Sequence, residues 1–171
     1  MPKLNIAITG PECCGKSTLA SDLASMFNVN YIKEYAVTYL KDKGSNYTYI
    51  DIEKIAIKQN ELILSNHNEQ LLIVDTEALV NKIWFEEKYN STNNTINLLW
   101  EKQNFDIYFL CYPDIDWEFS DFRENPNNRL QLFEKYESYL ISCFRKYYVV
   151  KGTRNERLQY CINIINQLFL K

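Results

Sequence analysis

The sequence predicts an α/β fold: a five-stranded parallel sheet with helices on both faces. Three observations carry this. Apolar runs rich in β-formers alternate with stretches whose apolar residues recur at helical spacing. The run Leu71 to Val74 is continuously apolar, as suits a strand buried on both faces. A helix separates successive strands, which suits parallel strands joined by right-handed crossovers. The 171 residues are enough for one domain with a proper core, and no repeat, low-complexity tract or linker divides them.

Taken in order, Leu4 to Thr9 is the first strand. Leu19, Leu23, Met26 and Phe27 mark a helix that ends near Asn28. Val29 to Glu34 reads as a second strand, and Tyr35 to Lys43 as a helix stopped by Gly44. Asn46 to Tyr49 is a loop. Asp51 is an N-cap for a helix carrying Ile52, Ile55, Ala56, Gln59, Leu62 and Ile63 to about Ser65. Leu71 to Thr76 is the third strand, followed by a helix with Trp84 and Phe85. After a polar loop from Tyr89 to Thr95, Ile96 to Lys102 is helical. Phe105 to Leu110 is the fourth strand, with Cys111 as an extension. Residues 113–128 are irregular, with Pro113, Pro126, several acids and Arg123, and read as a lid. Leu130, Phe133, Leu140, Ile141 and Phe144 stripe a long helix. Tyr147 to Val150 is the fifth strand. Gly152 breaks it before a closing helix marked by Leu158, Cys161, Ile162, Ile165 and Phe169.

Between the first strand and its helix stands Gly10-Pro11-Glu12-Cys13-Cys14-Gly15-Lys16-Ser17-Thr18, which fits G-x-x-x-x-G-K-[S/T]. Strand, glycine loop and helix form the setting this phosphate-binding pattern requires. The glycines allow backbone conformations that turn N–H groups inward around phosphate oxygens, next to the positive end of the helix. Lys16 can reach the β- and γ-phosphates, and the Ser17 hydroxyl can ligate Mg²⁺. The expectation is a nucleoside triphosphate bound with Mg²⁺, with Gly10, Glu12, Cys13, Cys14, Gly15, Lys16, Ser17 and Thr18 around it.

Two carboxylates sit where open α/β sheets place ligands, at the carboxyl ends of strands. Asp75 closes the third strand and suits a metal role, with helix capping as the plainer alternative. Glu34 closes the second and is the candidate base or substrate-hydroxyl ligand, although Asp75 could share or exchange that role. Arg123 and Arg129, in or beside the lid, could offset charge that builds on a transferring phosphoryl group. Of Trp84, Trp100 and Trp117, the last is chosen for stacking on a planar substrate, with Tyr35 a weaker candidate. Residues 152–157, including Arg157, could border an adenine.

Composition narrows the field. The net charge of −3 and the lack of a basic run argue against a nucleic-acid footprint. No apolar run approaches a membrane span, and the first strand begins too early for a signal peptide. The five cysteines lack C-x-x-C spacing and read as reduced thiols of a cytoplasmic protein. His67, the one histidine, reads as a surface residue. Asn81-Lys82-Ile83-Trp84 lacks the aspartate of a guanine-binding motif.

Joined in order, several stretches resemble the P-loop kinase domain of NadR-type ribosylnicotinamide kinases and related NadR-like AAA-family ATPases. They are Gly10 to Thr18, Glu34-Tyr35-Ala36 with Tyr39-Leu40, Val74-Asp75-Thr76, Pro113-Asp114-Ile115-Asp116-Trp117 with Arg123-Glu124-Asn125-Pro126, Arg129 with Leu132-Phe133, and Gly152 with Glu156-Arg157-Leu158. The resemblance covers essentially the whole chain. It implies a three-layer α/β/α P-loop kinase fold with a lid, and ATP-dependent phosphorylation of nicotinamide riboside to its mononucleotide, a step in NAD salvage. By position it implies that Lys16 and Ser17 handle phosphate and Mg²⁺, that Glu34 and Asp75 face the substrate hydroxyl and the metal, and that Arg123 acts from the lid. The expected partner is a small nucleoside, with a homo-oligomer left open. The alternative is a regulatory P-loop ATPase or nucleotide switch without a small acceptor.

Overall fold

A computed structural model describes residues 3–44, 46–119 and 127–169. Its elements are β1 (Leu4–Thr9), α1 (Lys16–Phe27), β2 (Tyr31–Ile32), α2 (Tyr35–Lys43), α3 (Tyr49–Ser65), β3 (Leu71–Asp75), α4 (Ala78–Tyr89), α5 (Asn94–Lys102), β4 (Ile107–Cys111), α6 (Arg129–Ser142), β5 (Tyr147–Val150) and α7 (Arg154–Phe169). The strands form one five-stranded sheet in the order β2-β3-β1-β4-β5, with every pairing parallel. β1 is central. Its last residues lie level with Asp75 on one neighbour and Leu110 on the other, so the glycine loop leaves the sheet between two strand ends.

The core has three parts, and the sheet separates two of them. On one face Ile6 and Ile8 of β1 and Phe109 of β4 pack with Leu19 and Leu23 of α1 and Cys161 and Ile165 of α7. On the other, Ala7, Val74, Tyr108 and Leu110 pack with Leu79 and Ile83 of α4 and Phe133, Tyr136 and Leu140 of α6. A third cluster joins Ala36 and Leu40 of α2 to Ile52 and Ile55 of α3 and Phe85 of α4. It lies outside the sheet and anchors the helices that surround the cleft. No helix among the described residues is long and apolar enough to cross a membrane. All five cysteines are free.

Several local expectations change. β2 has two residues, not six, because it meets β3 only at Tyr31 and Ile32 and turns into α2 with Glu34 as N-cap. Asp51 is not the N-cap of α3. Thr48 is, and the Asp51 carboxylate, one turn in, accepts the Thr48 N–H at 2.8 Å in a capping box. β4 begins at Ile107 rather than Phe105. α6 buries Leu132, Phe133, Tyr136 and Leu140, whereas Leu130 and Ile141 are exposed and Phe144 lies past the helix end. Of the expected lid, 120–126, and with them Arg123, lie outside the described residues.

Candidate active site

The glycine loop is shaped by its backbone. Gly10 has φ 132° and Gly15 φ 81°, both in the region that side chains disfavour. A Cβ on Gly10 would lie 2.8 Å from the Cys111 carbonyl oxygen, so the loop can leave the sheet this closely only without one. Cys14, fully buried, donates its Sγ hydrogen to the Pro11 carbonyl at 2.8 Å. The Lys16 ammonium donates to the same carbonyl at 2.7 Å. Burial alone would lower its pKa. Cys14, Glu34 and Asp75, all able to carry negative charge, outweigh that and raise it, so Lys16 stays a cation.

Two arginines hold the loop from outside. Arg157, 3% exposed, donates to the carbonyls of Cys14 at 2.7 Å, Tyr112 at 2.9 Å and Gly152 at 2.8 Å, and pairs with Asp114. One side chain thereby ties the glycine loop to the ends of β4 and β5. Arg129 donates to the carbonyls of Cys13 at 3.0 Å and Ile115 at 2.8 Å. The described part of the expected lid follows the loop's flank. The Glu118 N–H meets Cys13 Sγ at 3.3 Å, and Trp117 Nε1 meets Glu12 Oε1 at 3.4 Å.

The two carboxylates occupy different environments. Asp75 is 2% exposed. Burial raises its pKa, opposed by the Ser17 hydroxyl and Lys16, and its Oδ1 is buried with no hydrogen-bond partner among the described residues. An orphaned carboxylate oxygen beside a serine hydroxyl fits a hard cation that takes oxygen ligands. Asp75 does not cap the next helix. Glu77 does, accepting the Leu79 N–H at 2.5 Å and the Thr9 hydroxyl at 2.7 Å. Glu34 is half-buried and opens onto a cavity. Burial raises its pKa, and nearby Asp75 adds to the rise while Lys16 opposes it.

That cavity, of about 420 Å³, runs from the glycine loop past Glu34. Its far walls are Ala36, Val37 and Leu40 of α2, Val80, Ile83, Trp84 and Glu87 of α4, and Leu132 and Tyr136 of α6. Trp84 is oriented by Tyr47, whose hydroxyl takes its Nε1–H at 3.1 Å and whose ring lies 5.1 Å away. Sequence reasoning passed over Trp84 for Trp117, and Trp117 and Tyr35 are not among the residues lining this cavity. Trp100 is buried core. Tyr136 was also missed. Its signal was present, since it follows Leu132 and Phe133 at helical spacing.

A family model described as an AAA domain matches residues 5–157. The chain belongs to this AAA domain family. Among curated proteins, the trifunctional NAD biosynthesis/regulator protein NadR of Salmonella typhimurium is 25% identical over 118 residues, or 66% of this chain. NadR of Escherichia coli matches to the same extent. The chain spans about 29% of the length of these relatives. Among solved structures, NadR in complex with NAD and AMP-PNP superposes with a TM-score of 0.76 at 17% identity, over 96% of this chain and 49% of that one. Deoxyadenosine kinase from M. mycoides gives a TM-score of 0.67 at 17% identity, over 96% of this chain and all of that one. The fold of this family member is therefore the three-layer P-loop kinase fold.

Proposed function

We propose that this protein is an ATP-dependent small-molecule kinase acting on a nucleoside hydroxyl, with nicotinamide riboside as the acceptor and its mononucleotide as the product. One observation carries the reading: a largely apolar cavity, with Trp84 and Tyr136 in its wall, opens directly beside the glycine loop, with Glu34 at the junction. A hydrolytic switch has no need of such a chamber, whereas a kinase needs a place for the acceptor. The likeness to NadR, one structure of which is a complex with NR, supports the choice of acceptor.

The residues divide the work. The loop N–H groups and Lys16 bind the phosphates and neutralise charge as the γ-phosphoryl group moves. Ser17 and Asp75 would hold Mg²⁺, which supplies further charge neutralisation across the phosphates when bound. Glu34, facing the cavity, orients the acceptor hydroxyl and takes its proton. A carboxylate whose pKa is raised by burial is better matched to that task than an exposed one. Trp84 and Tyr136, which line the cavity, supply aromatic contacts for a planar base. Arg129 and Arg157 shape the loop through its carbonyls. Arg123 keeps the proposed role of acting on the phosphoryl group from the lid.

The experiment is coupled ADP release from purified protein with MgATP across a panel of nucleosides. Turnover that depends on nicotinamide riboside supports the reading. Turnover with another nucleoside alone keeps the kinase and replaces the acceptor. Hydrolysis indifferent to every nucleoside overturns it in favour of a regulatory ATPase.

A further inference from the structure

Gln59 lies on the core stripe of α3, where a polar side chain needs partners, and it is 2% exposed. Among the described residues its partners are backbone groups just beyond β2 and at the end of β3. Its Oε1 accepts the Tyr35 N–H at 2.8 Å. Its Nε2 donates to the Thr76 carbonyl at 2.9 Å and faces the carbonyls of Asp75 and Lys33 at 3.3 Å each. The groups held are the residues on either side of Glu34, together with Asp75 itself and the residue after it.

This matters because the sheet does not do the job. The β2–β3 pairing stops at Ile32 and Val74, short of both acids. Past that point, the Gln59 amide bridges the two segments. The β3 side also needs holding. Thr76 has φ 74°, a left-handed conformation that a β-branched residue adopts only when its surroundings impose it. The Ile8 carbonyl takes its N–H at 3.1 Å, and Gln59 takes hold of its carbonyl.

We propose that Gln59 is a positioning residue that sets the separation of Glu34 and Asp75. It touches neither phosphate nor acceptor, and acts by fixing the two backbone segments from which the acids project. The role rests on the kinase reading above for its consequence in turnover, but not for its effect on the metal site.

The test compares Gln59→Met, which keeps the volume and removes every hydrogen bond, with Gln59→Glu, which keeps the acceptor for Tyr35 N–H and loses the amide donor. Each variant is assayed for kcat and for the KM of ATP. Each is also assayed for Mn²⁺ affinity in the ADP complex by electron paramagnetic resonance, and for melting temperature. The expected result is a kcat about tenfold to a hundredfold lower with the KM for ATP within about twofold, since small misplacements of reacting groups cost that much. Mn²⁺ affinity falls about tenfold, as when an outer-shell support of a metal ligand is lost. Wild-type kcat and Mn²⁺ affinity in a folded Gln59→Met overturn the proposal. So does a loss of kcat that comes with a matching rise in the KM for ATP and a fall in melting temperature in both variants, because that is the signature of a merely structural residue. Should the wild type show no nucleoside-dependent turnover, the kinase reading fails by itself. The Mn²⁺ measurement then still decides on Gln59.

Discussion

The glycine-loop side of the cleft, proposed to bind phosphate, is held by hydrogen bonds between side chains and backbone, whereas the side proposed for the acceptor is an assembly of side chains from three helices. On the first side, Arg157 and Arg129 occupy carbonyls of the loop and its neighbours, and Lys16 and Cys14 share the Pro11 carbonyl. On the second, α2, α4 and α6 contribute mostly apolar and aromatic side chains, with Glu87 of α4 the charged one among the described lining residues of these helices. Backbone-defined walls can recognise only what all triphosphates share. A wall made of interchangeable side chains can be refitted to one acceptor without disturbing the loop. The difference predicts that damage on one side impairs the machinery as a whole, whereas damage on the other changes only which molecule enters.

The largest effect is expected from Lys16→Ala. Removing the ammonium proposed to bind the phosphates lowers kcat about a thousandfold, read by ADP release at saturating acceptor. A loss confined to the acceptor KM would break the comparison. Arg157→Met comes next. It leaves the Cys14, Tyr112 and Gly152 carbonyls and the Asp114 carboxylate without their shared donor, and destabilises the protein by about 3 kcal/mol in urea unfolding, with a raised KM for ATP.

Glu77 sharpens the comparison through pH. It lies under the loop at the end of β3, fully buried, and burial pushes its carboxyl up to about 7, against the Leu79 N–H and the Thr9 hydroxyl. The folded protein therefore holds this proton more tightly than the unfolded chain, whose value is near 4.5. The resulting stabilisation is complete below about 4.5 and is lost as pH rises through about 7. An amide at this position can donate to Thr9 and accept from Leu79 without titrating. In Glu77→Gln the fall in melting temperature between pH 5 and pH 8 becomes shallower by about 5 °C. An unchanged pH dependence would remove Glu77 from the account.

The smallest effect belongs to the acceptor wall. Trp84→Ala raises the acceptor KM about tenfold and leaves the KM for ATP nearly unchanged, as expected from the loss of one stacking face. An equal change in both KM values would show that the two sides are not separable.

The sequence by itself determined whatever depends on neighbours along the chain. The glycine loop between strand and helix, the stop of α2 at Gly44, the end of α1 at Asn28 and the fifth strand were all legible, because turn chemistry and hydrophobic period are local properties. The order of the sheet's layers followed from the alternation of elements. Only the tertiary structure decided which of three tryptophans faces the cavity, that Arg129 and Arg157 bind loop carbonyls, and that Gln59 joins the ends of β2 and β3. These depend on the direction a side chain takes when elements distant in sequence meet. Arg157 meets Cys14 from 143 residues away. A spacing rule of period two or 3.6 carries no information at that range, so the partners of a long polar side chain become visible only once the layers are stacked.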